Sequence, residues 1–187
     1  MFDHFGFLAP FYEKVIQSKD PQEIREFGQL PTNGWLLDAG GGTGRIAQTL
    51  RGQAGMIVVA DLSLKMLEQA HSKDGLKLAC SHNERLPFPG NSFDRVIMVD
   101  TLHHVFDQQQ TANELWRVLK PGGRLVIEEP DIRAWSVKMI AVFEKLALMR
   151  SHFLSPPQIA ALFSHRKAKV SIDTKGYNAW VSVEKFE

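Results

Sequence analysis

Residues 36–47 read Leu36-Leu37-Asp38-Ala39-Gly40-Gly41-Gly42-Thr43-Gly44-Arg45-Ile46-Ala47, an apolar run that ends in a carboxylate and a glycine cluster and continues into a helix-compatible segment. The pattern predicts strand, tight turn, helix. Glycine is needed where the backbone takes positive φ or lets a ligand come close, and a helix opening next to it turns unsatisfied N–H groups into the same crevice. Such a turn cradles a nucleotide-type ligand. The dinucleotide fingerprint needs G-x-G-x-x-G, whereas Gly40, Gly42 and Gly44 give G-x-G-x-G, with Arg45 at the place of the third fingerprint glycine. No Gly-Lys-Ser/Thr follows, which excludes a phosphate-binding P-loop. Asp38 lies two residues before Gly40, where a carboxylate repels a pyrophosphate and attracts an ammonium or sulfonium. A cationic nucleoside suits the turn better than a phosphorylated one.

The rest of the chain sets the frame for that turn. Its 187 residues, 44% of them hydrophobic, suffice for one domain with a full core. Lys plus Arg (22) nearly balance Asp plus Glu (21), so no global field steers the chain toward nucleic acid or an anionic membrane. Cys80 is the sole cysteine, which excludes an internal disulfide and a multi-cysteine zinc site; it is expected to be a small buried hydrophobe, and no metal is expected. The N-terminus lacks a basic region followed by an apolar core, and the apolar runs are strand-sized, so the expected location is the cytoplasm. A small-molecule substrate and a monomer or homodimer are the expected partners.

Alternation of strand and helix signals continues along the chain. Residues 2–30 carry two helix-like segments, the second capped by Asp20 with Pro21 at its first position. Met56 to Asp61 and Phe93 to Asp100 are apolar runs ending in acids, the pattern of strands buried on both faces of a parallel sheet. Leu76 to Cys80 alternates weakly, as a strand near the sheet edge does. A helix over about 108–119 puts Ala112, Leu115, Trp116 and Leu119 on one face, and Arg124 to Pro130 follows as a fifth strand. Residues 131–153 read as a helix apolar on more than one side. Ser155-Pro156-Pro157 starts a short helix, and Lys169–Asp173 and Ala179–Val183 form an antiparallel pair. His165-Arg166-Lys167 reads as a solvated helix end. Asp38, Asp61 and Asp100 thus all sit at carboxyl ends of strands, the edge where an alternating α/β protein collects its site.

Asp38-Ala-Gly-Gly-Gly-Thr-Gly44, the Leu86-Pro87-Phe88 segment and Lys120-Pro121-Gly122-Gly123 together resemble the class I S-adenosylmethionine-dependent methyltransferases, in the broad subgroup with the quinone-biosynthesis C-methyltransferases. The resemblance implies a Rossmann-like, doubly wound α/β fold: a seven-stranded sheet, mostly parallel with one antiparallel strand, and helices on both faces. It divides the chain into an N-terminal helical lid (1–33), a cofactor-binding core (34–130), a helical substrate cap (131–154) and a C-terminal helix with a strand pair (155–187). For S-adenosylmethionine it implies contacts from Gly40, Gly41, Gly42 and Gly44, from Asp38 near the amino group, and from Arg45 near the carboxylate. Asp61 takes both ribose hydroxyls, with Leu62 and Met66 beside it, while Ser63 is the better placed cap for the helix that follows. The family's adenine-binding acid is replaced by His82, so that His82 or Asn83 takes that contact. Val99 and Asp100 approach the methionine part, and Tyr12 touches the ligand from the lid.

The implied reaction passes a methyl group to a small acceptor by in-line displacement; the oily 131–153 segment suits a flat or apolar one. A general base is needed only if the acceptor loses a proton, and His103 comes first, then His104, with His4 and His152 as further candidates. Two other readings share these motifs: a catalytically silent S-adenosylmethionine-binding protein and an NAD(P)-dependent oxidoreductase.

Overall fold

The computed structural model describes residues 20–135, 137–138 and 151–186. Tyr12, His4, the rest of the lid before Asp20 and most of the 131–154 cap lie outside the described residues.

Seven strands form one sheet in the order β3-β2-β1-β4-β5-β7-β6. They are β1 (Trp35–Ala39), β2 (Met56–Asp61), β3 (Leu76–Cys80), β4 (Phe93–Val99), β5 (Leu119–Pro130), β6 (Ala168–Lys175) and β7 (Asn178–Lys185). Strands β1 to β5 are parallel, and β7 runs antiparallel to both β5 and β6. The chain travels outward from β1 to β3 and then returns to lay β4 against the other side of β1. The connections leaving β1 and β4 therefore diverge, opening a crevice at their carboxyl ends. A dinucleotide-binding sheet classically runs 3-2-1-4-5-6, and the antiparallel strand slotted between β5 and β6 departs from that order.

Alternate strand residues feed two cores. On one face Leu37, Val96, Met98, Leu125 and Ile127 pack beneath helix α4 (Gln108–Val118) and α5 (Pro156–Ala161). On the other, Leu36, Val59, Ile97, Val126 and Trp180 meet α1 (Pro21–Gly28), α2 (Arg45–Thr49) and α3 (Leu64–His71). The fully buried Trp180 stacks on Phe27 of α1 with ring centroids 4.5 Å apart, an aromatic pair that pins the N-terminal helix to β7.

Helix α1 starts as its sequence predicts: Asp20 accepts from the Gln22 amide at 2.8 Å, and Pro21 occupies the first turn. Strand β5 begins earlier than its apolar run. Leu119 already pairs with Phe93, and the register resumes at Arg124 opposite Arg95 after the Lys120–Gly123 excursion. Cys80 corrects the expectation of a buried thiol, because β3 is an edge strand and Cys80 lies on its exposed side, its Sγ 3.6 Å from the Leu62 carbonyl oxygen.

Candidate functional site

The glycine turn sits where the sequence places it. Gly40 and Gly41 donate to the Ala60 carbonyl at 2.7 and 3.2 Å, so the loop folds back over β2. Gly40 has φ 72°, and a Cβ there would lie 2.2 Å from Thr101 Cγ2; only glycine lets the loop lie so close to the end of β4. Gly44 caps α2 in the left-handed region, against Ala70 and Leu76, while Lys73 Nζ donates to the Thr43 carbonyl at 2.6 Å.

Asp61 fastens this loop from β2. Its Oδ2 accepts from the Gly42 amide at 2.9 Å and its Oδ1 from the Ser63 amide at 2.8 Å. Ser63 holds the N-cap position of α3, as expected, yet its side chain makes no capping bond; the carboxylate two residues earlier organises that turn instead. Leu62 is exposed and Met66 is buried.

Asp38 differs from Asp61. It is almost fully buried, and burial pushes its carboxyl up to about 7, with the Asp61 charge acting in the same direction; Arg45 and the Ala47 amide pull it down. Near neutral pH Asp38 therefore exchanges its proton, and a cationic ligand favours the charged form. The Ala47 amide that bonds it belongs to α2, so the carboxylate also closes the start of that helix.

The adenine-side loop separates the two candidates at 82 and 83. His82 points its ring to solvent, 3.9 Å from Glu84, while Asn83 is buried. Glu114 and Arg117, one turn apart on α4, hold this loop: Glu114 Oε2 accepts from the Leu86 amide at 2.9 Å, and Arg117 donates to the Phe88 and Leu86 carbonyls at 2.8 and 3.1 Å. Among the described residues, Asp38 Oδ2 and Asn83 Oδ1 are buried acceptors without a hydrogen-bond partner. Leaving such an atom unsatisfied costs about 1–3 kcal/mol, which a donor-bearing cation and an amino-substituted base would recover.

The end of β4 forms the other half. Val99 is half-buried, and Asp100 takes φ 50° while its amide donates to the Glu128 carbonyl at 3.0 Å. Thr101 Oγ1 lies 3.1 Å from the Gly40 carbonyl oxygen and 2.9 Å from that of Val99, which ties this turn to the glycine loop. His103 is buried between the His104 ring at 3.9 Å and the Phe153 ring, stacked at 4.3 Å. Its Nδ1 bonds the buried Glu129, whose other oxygen accepts from the Thr101 and Leu102 amides at 2.9 and 2.6 Å. Burial, and next the His103 charge, push His104 down to about 3. His152 is exposed, and its amide donates to the His103 carbonyl at 2.8 Å.

Sequence reading passed over Glu129 and Glu128. Both end β5, and the rule that singled out Asp38, Asp61 and Asp100, an acid at a strand's carboxyl end, applies to them equally.

Comparison with known proteins agrees with this layout. Residues 37–127, from β1 through most of β5, match the family model described as a methyltransferase domain. Those residues form a methyltransferase domain of the class I S-adenosylmethionine-dependent type. It is 38% identical to the ubiquinone/menaquinone biosynthesis C-methyltransferase of Hahella chejuensis over 50% of this chain and 42% of that protein, so it matches well under half the length of such relatives. Among solved structures it resembles a SAM-dependent methyltransferase from Aquifex aeolicus (TM-score 0.70, 20% identity, 88% of each chain). It also resembles the geranyl diphosphate C-methyltransferase of Streptomyces coelicolor in complex with S-adenosyl-L-homocysteine (TM-score 0.73, 14% identity, 88% of this chain and 76% of that one). The family's cofactor is S-adenosylmethionine, and the methyltransferase domain suits it: an ammonium and an adenine amino group are donors that the unpartnered, buried Asp38 Oδ2 and Asn83 Oδ1 can accept. No helix among the described residues is long and apolar enough to cross a membrane.

Proposed function

We propose that this chain transfers a methyl group from S-adenosylmethionine to a small aromatic or apolar acceptor of the phenol or quinol class. The observation that carries the proposal is the buried Asp38 carboxylate, with one oxygen unpartnered, directly beneath a glycine turn at the sheet's topological switch point.

In this reading Asp38 receives the cofactor's ammonium and Arg45 faces its carboxylate. The Gly40–Gly44 backbone lets the chain of atoms between them lie close. Asp61, at the carboxyl end of β2, accepts the two ribose hydroxyls. Asn83, not the solvent-facing His82, accepts from the adenine amino group, and Leu62 and Met66 flank the base. Val99 and Asp100 border the methionine part, and Tyr12, in the proposed lid, covers the mouth. Bound S-adenosylmethionine supplies an electrophilic methyl on a good leaving group. The protein then has mainly to align donor and acceptor and exclude water, effects worth up to about 7–11 kcal/mol.

The acceptor class draws support from the 38% identity to a quinone-pathway C-methyltransferase. A quinol ring carbon becomes nucleophilic when its hydroxyl loses a proton, so a base is required. His103 fills that role. His104, with its conjugate acid at about 3, takes up a proton poorly.

Isothermal calorimetry should give micromolar binding of S-adenosylmethionine and S-adenosylhomocysteine and none comparable for NAD(P). Labelled-methyl transfer should then appear on phenols and quinols rather than on amines or carboxylic acids. Tight NAD(P) binding would reject the proposal, and cofactor binding without transfer to any acceptor would make the chain a silent binder.

A further inference from the structure

We infer that Glu129 is the positioning residue that fixes the ring tautomer of His103, so that the imidazole lone pair lies on Nε2. The inference rests on the methyl-transfer reading and names the residue that prepares its base.

Glu129 ends β5, paired in the sheet with Ala179 of β7, and its carboxylate is buried. Its two oxygens do different jobs. Oε1 accepts from two consecutive backbone amides, Thr101 and Leu102, and so holds the turn that begins at the left-handed Asp100. Oε2 bonds His103 Nδ1. A carboxylate offers only acceptors, so with the imidazole neutral the hydrogen between them sits on Nδ1, and the ring's lone pair is left on Nε2. Stacking on Phe153 restrains the ring from turning over. His104 remains neutral, so it neither repels a proton arriving on His103 nor competes for it.

The step balances as follows. The acceptor's proton passes to His103 Nε2, and the electron pair it leaves behind activates the acceptor atom. That atom bonds the methyl carbon while the carbon–sulfur bond breaks, its pair staying on sulfur. The imidazolium then lies beside the Glu129 carboxyl group, and it returns the proton to water.

Glutamine at 129 makes the inference testable. It has one acceptor oxygen, and two fixed backbone donors at Thr101 and Leu102 claim it. Its NH2 group is thereby turned toward His103 Nδ1, which must become the acceptor, and the proton moves to Nε2. A residue that merely braced the turn would not produce this change.

The experiment is a long-range nitrogen-15 correlation spectrum of histidine-labelled full chain, with His103 assigned by the signals lost in His103→Gln. Wild type should show the Nδ1–H tautomer and Glu129→Gln the Nε2–H tautomer. Glu129→Gln should lower kcat by about 10²–10⁴-fold with cofactor KM unchanged. A wild-type Nε2–H tautomer, or Glu129→Gln with wild-type kcat, overturns the inference. If Glu129→Gln does not fold, the wild-type spectrum decides alone. Wild-type protein that binds S-adenosylmethionine but methylates nothing defeats the functional reading instead, a failure seen in the transfer assay and not in the spectrum.

Discussion

The two halves of the sheet's carboxyl edge are built differently. Over β1 to β3, acids meet backbone amides a few residues or one crossover away: Asp61 takes Gly42 and Ser63, and Asp38 takes Ala47. Over β4 and β5, a buried carboxylate near the end of β5 meets a buried imidazole from the turn after β4, with an aromatic ring from residue 153 stacked on top. The first half is a mould of local backbone, made to receive a ligand. The second is a tertiary assembly of side chains, suited to moving a proton.

Substitutions can break this contrast. The largest effect is expected at His103: His103→Gln should reduce kcat by about 10²–10⁴-fold while calorimetric cofactor affinity stays at the wild-type level. Equal losses of affinity and turnover would merge the two halves. Next comes Asp61→Ala, which should weaken S-adenosylmethionine binding by about 10- to 100-fold, the worth of roughly 1.5–3 kcal/mol for hydrogen bonds to a charged group. Because Asp61 also holds two amides, the midpoint of thermal unfolding should drop as well. Wild-type affinity in the folded variant would remove Asp61 from the ribose contact.

Asp38 sharpens the comparison through pH. Its folded-state value of about 7 exceeds the ordinary 3.8, so the unfolded chain loses this proton first. The group's contribution to stability is complete below about pH 4 and declines as pH rises toward 7, and Asp38→Asn should flatten that slope in denaturant unfolding. Cofactor affinity should run the opposite way in wild type, rising up to about pH 7 as the carboxylate ionises. The smallest effect belongs to His104: His104→Asn should change kcat by less than roughly fivefold, since a ring with so low a conjugate-acid value contributes little as a base.

Local chemistry was legible in the sequence; tertiary chemistry was not. Strand runs ending in acids, the Gly40–Gly44 spacing and the Asp20-Pro21 cap each follow from interactions within a few residues, and the sheet carries them where expected. Cys80 was misjudged even though its strand read as lying near the sheet edge, because which side of that strand faces solvent is set by the packing around it. His82 occupies the motif position of the adenine-binding acid, yet the Glu114–Arg117 clamp on the following residues leaves Asn83 as the buried member of the pair. Glu129 obeyed the strand-end rule, but next to Pro130 and inside an apolar strand it gave no hint of the histidine 26 residues away.

Thr101 has a consequence for alignment. One hydroxyl reaches the glycine loop on one side and its own strand on the other, so a single side chain sets the gap between the floor of the donor pocket and the turn carrying the imidazole. Displacement at carbon tolerates little error along the line of attack, and a slip of about 1 Å can cost on the order of 100-fold. On the proposed reading this threonine spaces donor from acceptor, and a change in its bulk would detune the reaction without touching either molecule.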